Sequence, residues 1–252
     1  MGKPTMSTTN LNLGVVLTAH GEGAMAAVSY NSLLEACQYA EQRDVTIKKM
    51  VVLDKPNVQT SAIFQGLENG TTIIETDFGD QGLVRNAAVE SSDCDLIAFL
   101  DGDDLWGENW LYEAHAYLSD QDEKTIAHPE FNWFFQGVSS VLIGLDQDDP
   151  KFAVDFLRFG NYWDAMCMAH RSAHLAIPYC ERRIKEGFAF EDWHWNCETV
   201  WRGFNHKIVN DTIHFKRRRQ NSQTLEASGT KSLMPATNIT SFECLERLSA
   251  AV

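Results

Sequence analysis

Leu96-Ile97-Ala98-Phe99-Leu100-Asp101-Gly102-Asp103-Asp104-Leu105-Trp106 is an apolar run that ends in three carboxylates. A short, continuously apolar run reads as a strand buried on both faces, as in a parallel sheet. Ligands of open α/β sheets sit beyond the carboxyl ends of such strands. Three acids placed there repel one another unless something positive is shared between them. A divalent cation held by oxygen ligands, itself able to carry a phosphate, meets that need. An acidic loop or a helix cap after a core strand is the plainer reading of the same residues.

Upstream of this stretch the pattern alternates. Leu11 to Ala19 is expected as a strand, followed by the turn His20-Gly21-Glu22-Gly23 and a helix over Ala24 to Gln42. Thr46 to Leu53 is a second strand, ending in Asp54. A short helix over Thr60 to Leu67, a third strand over Thr71 to Glu75 and a helix over Leu83 to Ser91 lead back to the opening run. Strand and helix in alternation with short connections imply a parallel sheet with helices on its faces. The strand ends at His20, Asp54 and Asp101 should then share one edge.

Downstream the pattern is less regular. Trp110 to Leu118 reads as a helix, and Thr125 to Phe135 and Ser140 to Leu145 as strands. Asp146-Gln147-Asp148-Asp149-Pro150 reads as a solvated acidic turn. Trp163 to His170 is a strand candidate. Phe188 to Asp192 leads into a helix over Trp193 to Arg202, closed by Gly203. His206 to Asp211 and Thr212 to Arg219 form a final strand or strand pair. One domain over residues 1–225 is expected, with a tail over 226–252 that carries a short helix from Ser241 to Ala250.

The bulk numbers narrow the function class. The 252 residues carry a net charge of −14, with 44% hydrophobic and 22% charged residues. Such a balance argues against a broad nucleic-acid-binding surface but allows a local basic pocket. No run approaches the roughly 20 apolar residues of a membrane span. The polar start, Met1 to Asn10, lacks the apolar core of a signal peptide. Six scattered cysteines (Cys37, Cys94, Cys167, Cys180, Cys197, Cys244) include no Cys-x-x-Cys pair. They read as reduced thiols of a cytoplasmic protein.

Five pieces in order resemble the inverting glycosyltransferases of family 2, which have the GT-A fold. They are the first strand and its loop (VVLTAHGEG), the strand ending in Asp54 (VVLDKPN), and Gly82-Leu83-Val84-Arg85-Asn86. Leu100-Asp101-Gly102-Asp103-Asp104 matches the family's Asp-x-Asp segment, and Glu191-Asp192-Trp193 its Glu-Asp-Trp segment. A basic strand, Arg217 to Ser222, comes last. The similarity covers about residues 11–225. It implies an α/β, Rossmann-like, mostly parallel sheet with helices on both faces. A nucleotide-sugar-binding half (about 11–106) precedes a mixed acceptor-side half (about 107–225).

The resemblance also implies a chemistry. A sugar moves from a nucleotide-sugar donor to a hydroxyl of a glycan or lipid-linked glycan, with Mn²⁺ or Mg²⁺ neutralising the departing diphosphate. Surface polysaccharide synthesis is the expected setting, cytoplasmic or at the inner face of the membrane, with room for peripheral membrane association. Asp103 is expected as the direct metal ligand. Asp101 would reach the ribose, or the metal through water. Asp104 either follows them or caps the next turn. Asp54 contacts the base or ribose, or is a plain turn aspartate before Lys55-Pro56. Arg85 contacts the base or diphosphate, or is an exposed helix arginine. His20 and Glu22 lie on the loop that would wrap the base.

Inverting transfer needs one positioned base for the acceptor hydroxyl. Asp192 is the candidate, with Glu191 orienting the acceptor or sharing the role. Both could instead be a favourable charged first turn. In the basic strand His214, Lys216 and Arg218 share a face, opposite Phe215, Arg217 and Arg219. Many relatives carry a metal-binding histidine here. The matching position is Arg218, and His214 is the nearest histidine, so the third ligand is either absent or His214. Arg218 would then meet the diphosphate. Trp193 and Trp195 suit either a sugar face or the core. A catalytically silent nucleotide- or sugar-binding module and a nucleotidyltransferase are the rival readings. The second usually needs a Gly-rich basic loop after the first strand, and His20-Gly21-Glu22-Gly23 lacks the basic residues.

Overall fold

A computed structural model describes residues 11–67, 69–219, 229 and 231–241. In chain order they form β1 (Leu13–Ala19), α1 (Ala24–Glu41), β2 (Ile47–Asp54), α2 (Val58–Phe64), β3 (Thr72–Thr76), α3 (Gln81–Ser91) and β4 (Leu96–Asp101). There follow β5 (Leu105–Trp106), α4 (Trp110–Ser119), β6 (Thr125–Phe135), β7 (Ser140–Ile143), β8 (Met168–His170), α5 (Arg171–Ala176), α6 (Glu191–Trp201) and β9 (Asn205–Arg217). The strands make one mixed sheet in the order β3-β2-β1-β4-β8-β6-β9-β5, with β7 added to β6. The first four strands are parallel, as is the long β6–β9 pair, while β8, β5 and β7 join antiparallel.

Alternation along the strands fills two cores. Leu13, Val15, Leu17, Leu96, Ala98 and Leu100 face α1 and α4, where Tyr30, Leu33, Trp110 and Leu111 wait. Val16, Ile97 and Phe99 face the other way, towards Val84 and Ala88 of α3 and Trp195 of α6. The period of two that sends neighbouring side chains to opposite faces explains why the opening run is apolar throughout. Trp195 is fully buried and donates from Nε1 to the Ile177 carbonyl at 2.7 Å. Truncating a tryptophan of that kind typically costs about 3–5 kcal/mol. Of its two expected roles, it takes the core one.

Two helices begin on side-chain caps. Asn57 Oδ1 accepts from Thr60 N at 2.8 Å, starting α2 two residues before the expected Thr60. Asp80 Oδ1 accepts from Leu83 N at 3.0 Å, starting α3 at Gln81. Each cap satisfies an amide that the helix leaves free.

The second half departs further from expectation. Trp163 to His170 contributes only Met168–His170 to the sheet, because Asp164 Oδ1 takes the Met166 amide at 2.8 Å and folds the preceding residues into a turn. The final segment is one strand, β9, not two. Its register against β6 shifts between Pro129 and Phe131, and Asp211 bends there with φ of 59°. Pro129 has no amide to offer a ladder. β5 and α5 have no counterpart in the expectation.

The described part of the segment after β9 is fastened to the second half of the fold. Leu233 N donates to Gly187 O at 2.8 Å, Leu233 O accepts from Ala189 N at 2.9 Å, and Ile239 is buried beside Trp163. Glu198 Oε1 accepts from Asn238 N at 2.9 Å. The expected helix beyond Ser241, and Gln220 to Ser222 of the basic strand, lie outside the described residues. Among the described residues, no helix is long and apolar enough to cross a membrane.

Candidate active site

His20, Asp54 and Asp101, at the ends of β1, β2 and β4, line one cleft with Asp103, Asp104, Glu191, Asp192 and the end of β9. The shared edge expected from the alternation is therefore present. Gly102 permits the turn after β4 to lie close against β1. A Cβ there would stand 2.8 Å from the Thr18 carbonyl oxygen.

The three acids after β4 take different partners. Asp101 Oδ1 accepts from Arg85 Nη2 at 2.8 Å, Gln81 Nε2 at 2.6 Å and Thr18 Oγ1 at 3.3 Å. Burial opposes its ionisation, but Arg85 and Lys216 hold the carboxyl below its usual range. Asp103 faces the cleft with Arg219 Nε 3.2 Å from Oδ2, and burial outweighs that cation and raises its carboxyl. Asp104 accepts the Arg217 amide at 2.6 Å, a strand bond and not the cap of the following turn. Burial, countered by Lys216, pushes Asp104 up to about 7.

Lys216 and Asp164 are the pair that sequence reasoning missed. Lys216 Nζ lies 2.9 Å from Asp164 Oδ2 and 3.6 Å from Asp104 Oδ2, and both residues line the cleft. Burial disfavours the charge on each, yet Lys216 holds Asp164 well below the usual carboxylate range. Asp164 follows no motif. The signal for Lys216 was the alternation of the basic strand, which put it on the same face as Arg218.

Arg85 and His214 sit deeper than expected. Arg85 lines the cleft but is not an exposed helix arginine: it is 2% exposed, and its other terminal nitrogen, Nη1, donates to Glu191 Oε1 at 2.9 Å. His214 is fully buried against Trp110, with ring centroids 4.6 Å apart, and does not line the cleft. Its position inside the strand aims the ring at Trp110 of α4, away from the cleft where it was expected as a third ligand. Arg218 lines the cleft with its guanidinium 4.3 Å from the Phe134 ring centre. Arg217 and Arg219 line it too, although the Arg217 guanidinium donates to Gln136 Oε1.

Asp54 accepts from Thr76 Oγ1 at 3.0 Å, Phe78 N at 2.8 Å and Gly79 N at 2.8 Å. It braces the loop before α3, closer to the turn reading than to a free ligand. His20 Nδ1 donates to the Asp54 carbonyl, and Glu22 Oε2 accepts from His20 N at 2.6 Å. These bonds give the loop after β1 a fixed shape against the start of the cleft.

Glu191 and Asp192 open α6, which starts two residues before the expected Trp193. Glu191 is held by Arg85 and, at 3.7 Å, by Arg182. Asp192 Oδ2 meets Asn161 Nδ2 at a long 3.4 Å, and its carboxyl also accepts from the Trp193 amide. Burial and the adjacent Glu191 push Asp192 up to about 7. The pair is thus divided: one carboxylate neutralised by arginines, the other poised to take a proton near neutral pH.

A divalent cation fits part of this arrangement. Among the described residues no three His, Cys, Asp or Glu side chains converge to hold a metal by themselves. Mg²⁺-type sites are commonly completed by substrate phosphates around one or two carboxylates. Asp103 answers to that description, because its one ionic partner, Arg219, is a third exposed at the cleft and able to turn away.

The model of the family described as glycosyl transferase family 2 matches residues 14–172, more than half of the chain. No curated protein matches the sequence. Among solved structures, Staphylococcus aureus TarS 1-349 in complex with UDP-GlcNAc aligns with a TM-score of 0.64 at 14% identity, over 86% of this chain and 61% of that one. S. aureus TarS aligns at 0.62 and 15% over 82% and 37%, and GalNAc-T7 with UDP, GalNAc and Mn²⁺ at 0.59 and 14% over 84% and 45%. The chain thus spans about three fifths of TarS 1-349. At such identities the structural likeness establishes the fold, which is of the GT-A type.

Proposed function

The chain belongs to glycosyl transferase family 2, and we propose that it moves a sugar from a nucleotide-sugar, with inversion, onto a hydroxyl of a glycan or lipid-linked glycan. The observation that carries this reading is the division of Glu191 and Asp192 at the cleft, one held by arginines and the other pushed up to about 7 by burial and its neighbour. Surface polysaccharide synthesis remains the setting we favour, on family resemblance. UDP-sugars and Mn²⁺ are the first ligands to try, since both occur with the GT-A structures above.

Asp192 takes the proton of the acceptor hydroxyl as that oxygen attacks the anomeric carbon. The bond from that carbon to the diphosphate breaks, and the nucleoside diphosphate leaves with the electron pair. Asp103 would hold a divalent cation together with the diphosphate oxygens, supplying charge neutralisation to the leaving group. Lys216, Arg218 and Arg219 add fixed and mobile positive charge on the same side. Asp101, kept ionised by Arg85, is left to the ribose or to a water on the metal. The bonded frame of Asp54, His20 and Glu22 shapes the base end of the cleft.

The base must be ionised to work. With Asp192 raised to about 7, kcat/KM should rise with pH through about 7 and fall below it. Release of nucleoside diphosphate from UDP-GlcNAc and related UDP-sugars with Mn²⁺, followed from pH 5 to 9, tests both points. No turnover of any nucleotide-sugar removes the proposal. A rate flat across that range removes Asp192 as the titrating base.

A further inference from the structure

The segment Gly82-Leu83-Val84-Arg85-Asn86 has a use that donor binding does not account for, and the inference rests on the transferase reading. Four residues at the start of α3 all meet one stretch, Tyr179–Glu191, which delivers Asp192 to the cleft. Asn86 Nδ2 donates to Tyr179 O at 2.9 Å, and Asn86 Oδ1 accepts from Tyr179 N at 2.9 Å. Asp80 Oδ2 accepts from Arg182 N at 2.8 Å. Arg85 bridges Glu191 Oε1 and Asp101 Oδ1, at 2.9 and 2.8 Å. At Gly82 a Cβ would stand 2.6 Å from the Cys180 carbonyl oxygen and 3.3 Å from Glu191 Cγ, so the two segments touch there.

The start of α6 depends on these contacts. Its N-cap residue, Phe190, is in the left-handed region (φ 68°, ψ 55°) and makes no side-chain cap bond. A non-glycine residue at such angles persists where its surroundings hold it. The ordinary cap is replaced by Arg85 gripping Glu191, one residue before the base. Arg85 also ends on Asp101, so one buried guanidinium ties the donor-side acids to the helix that carries Asp192.

We infer that the first turns of α3 form a bracket, with Arg85 and Asn86 as positioning residues that set Asp192 against the donor without touching it. The test compares the full chain with Arg85→Met, Arg85→Lys and Gly82→Ala. Three quantities are read: UDP affinity with Mn²⁺ by calorimetry, kcat for the UDP-sugar the wild type turns over, and amide exchange over residues 179–192. A displacement of about 1 Å can cost about 100-fold in rate. We therefore expect Gly82→Ala to keep UDP affinity within about twofold while kcat falls by about 100-fold and residues 179–192 exchange faster; Arg85→Met should lower kcat at least as far and loosen the same residues, with some loss of UDP affinity through Asp101. Arg85→Lys should recover part of kcat. Gly82→Ala removes no charge, so it decides the matter alone if Arg85→Met does not fold. UDP affinity falling in step with kcat in Gly82→Ala would place this turn in donor binding and overturn the bracket, as would unchanged kcat and exchange. A wild type inactive on every nucleotide-sugar sinks the transferase reading instead, and the exchange data then decide the bracket: unchanged rates overturn it.

Discussion

Asp192→Asn is expected to lower kcat for transfer by about 10²–10⁴-fold, the range typical of a lost general base, and to leave UDP affinity unchanged. The substitution keeps the size of the side chain and its contact with Asn161, 3.4 Å away, but removes the ability to accept a proton. Glu191 is no substitute, because Arg85 and Arg182 hold its carboxylate and aim it away from that task. Single-turnover rates beside UDP titrations separate the two effects. Transfer at the wild-type rate would take the base role from Asp192.

Asp103→Ala is expected to abolish the part of UDP binding that depends on metal. A ligand at 100 times its Kd stabilises the folded state by about 2.7 kcal/mol. For a chain of this size each kcal/mol moves Tm by about 2–4 °C, so UDP with Mn²⁺ should raise the wild-type Tm by about 5–10 °C. With EDTA in place of Mn²⁺ the shift should be much smaller. In Asp103→Ala the two conditions should give the same small shift, since Lys216 and Arg218 still meet the diphosphate and Arg219 has lost its partner. Equal shifts for the wild type with and without metal would end the metal role of Asp103.

The alternation of the first hundred residues made the parallel half legible, because neighbouring strands there are neighbours in sequence or nearly so. The edge that gathers His20, Asp54 and Asp101 followed from that alternation alone. The acid run at Asp101 and the Glu191-Asp192 pair were visible as charges where apolar patterns stop. What could not be read is which charges neutralise which. Arg85 reaches Glu191 across 106 residues, and Lys216 reaches Asp164 across 52. No local pattern carries such pairings. Both arginine and lysine looked like ligands for phosphate, and the fold turned Arg85 inward onto protein carboxylates. His214 failed for a related reason. Strand alternation gave its face correctly as shared with Lys216, but not the depth at which Trp110 covers it.

The central claim is single displacement from a nucleotide-sugar with Asp192 as base. It is tested most directly by proton NMR of the first-formed product from an α-linked UDP-sugar, with glycan or water as acceptor. The account predicts a β-configured product from the wild type, formed about 10²–10⁴-fold more slowly by Asp192→Asn. An α-configured first product would require two displacements and would contradict it.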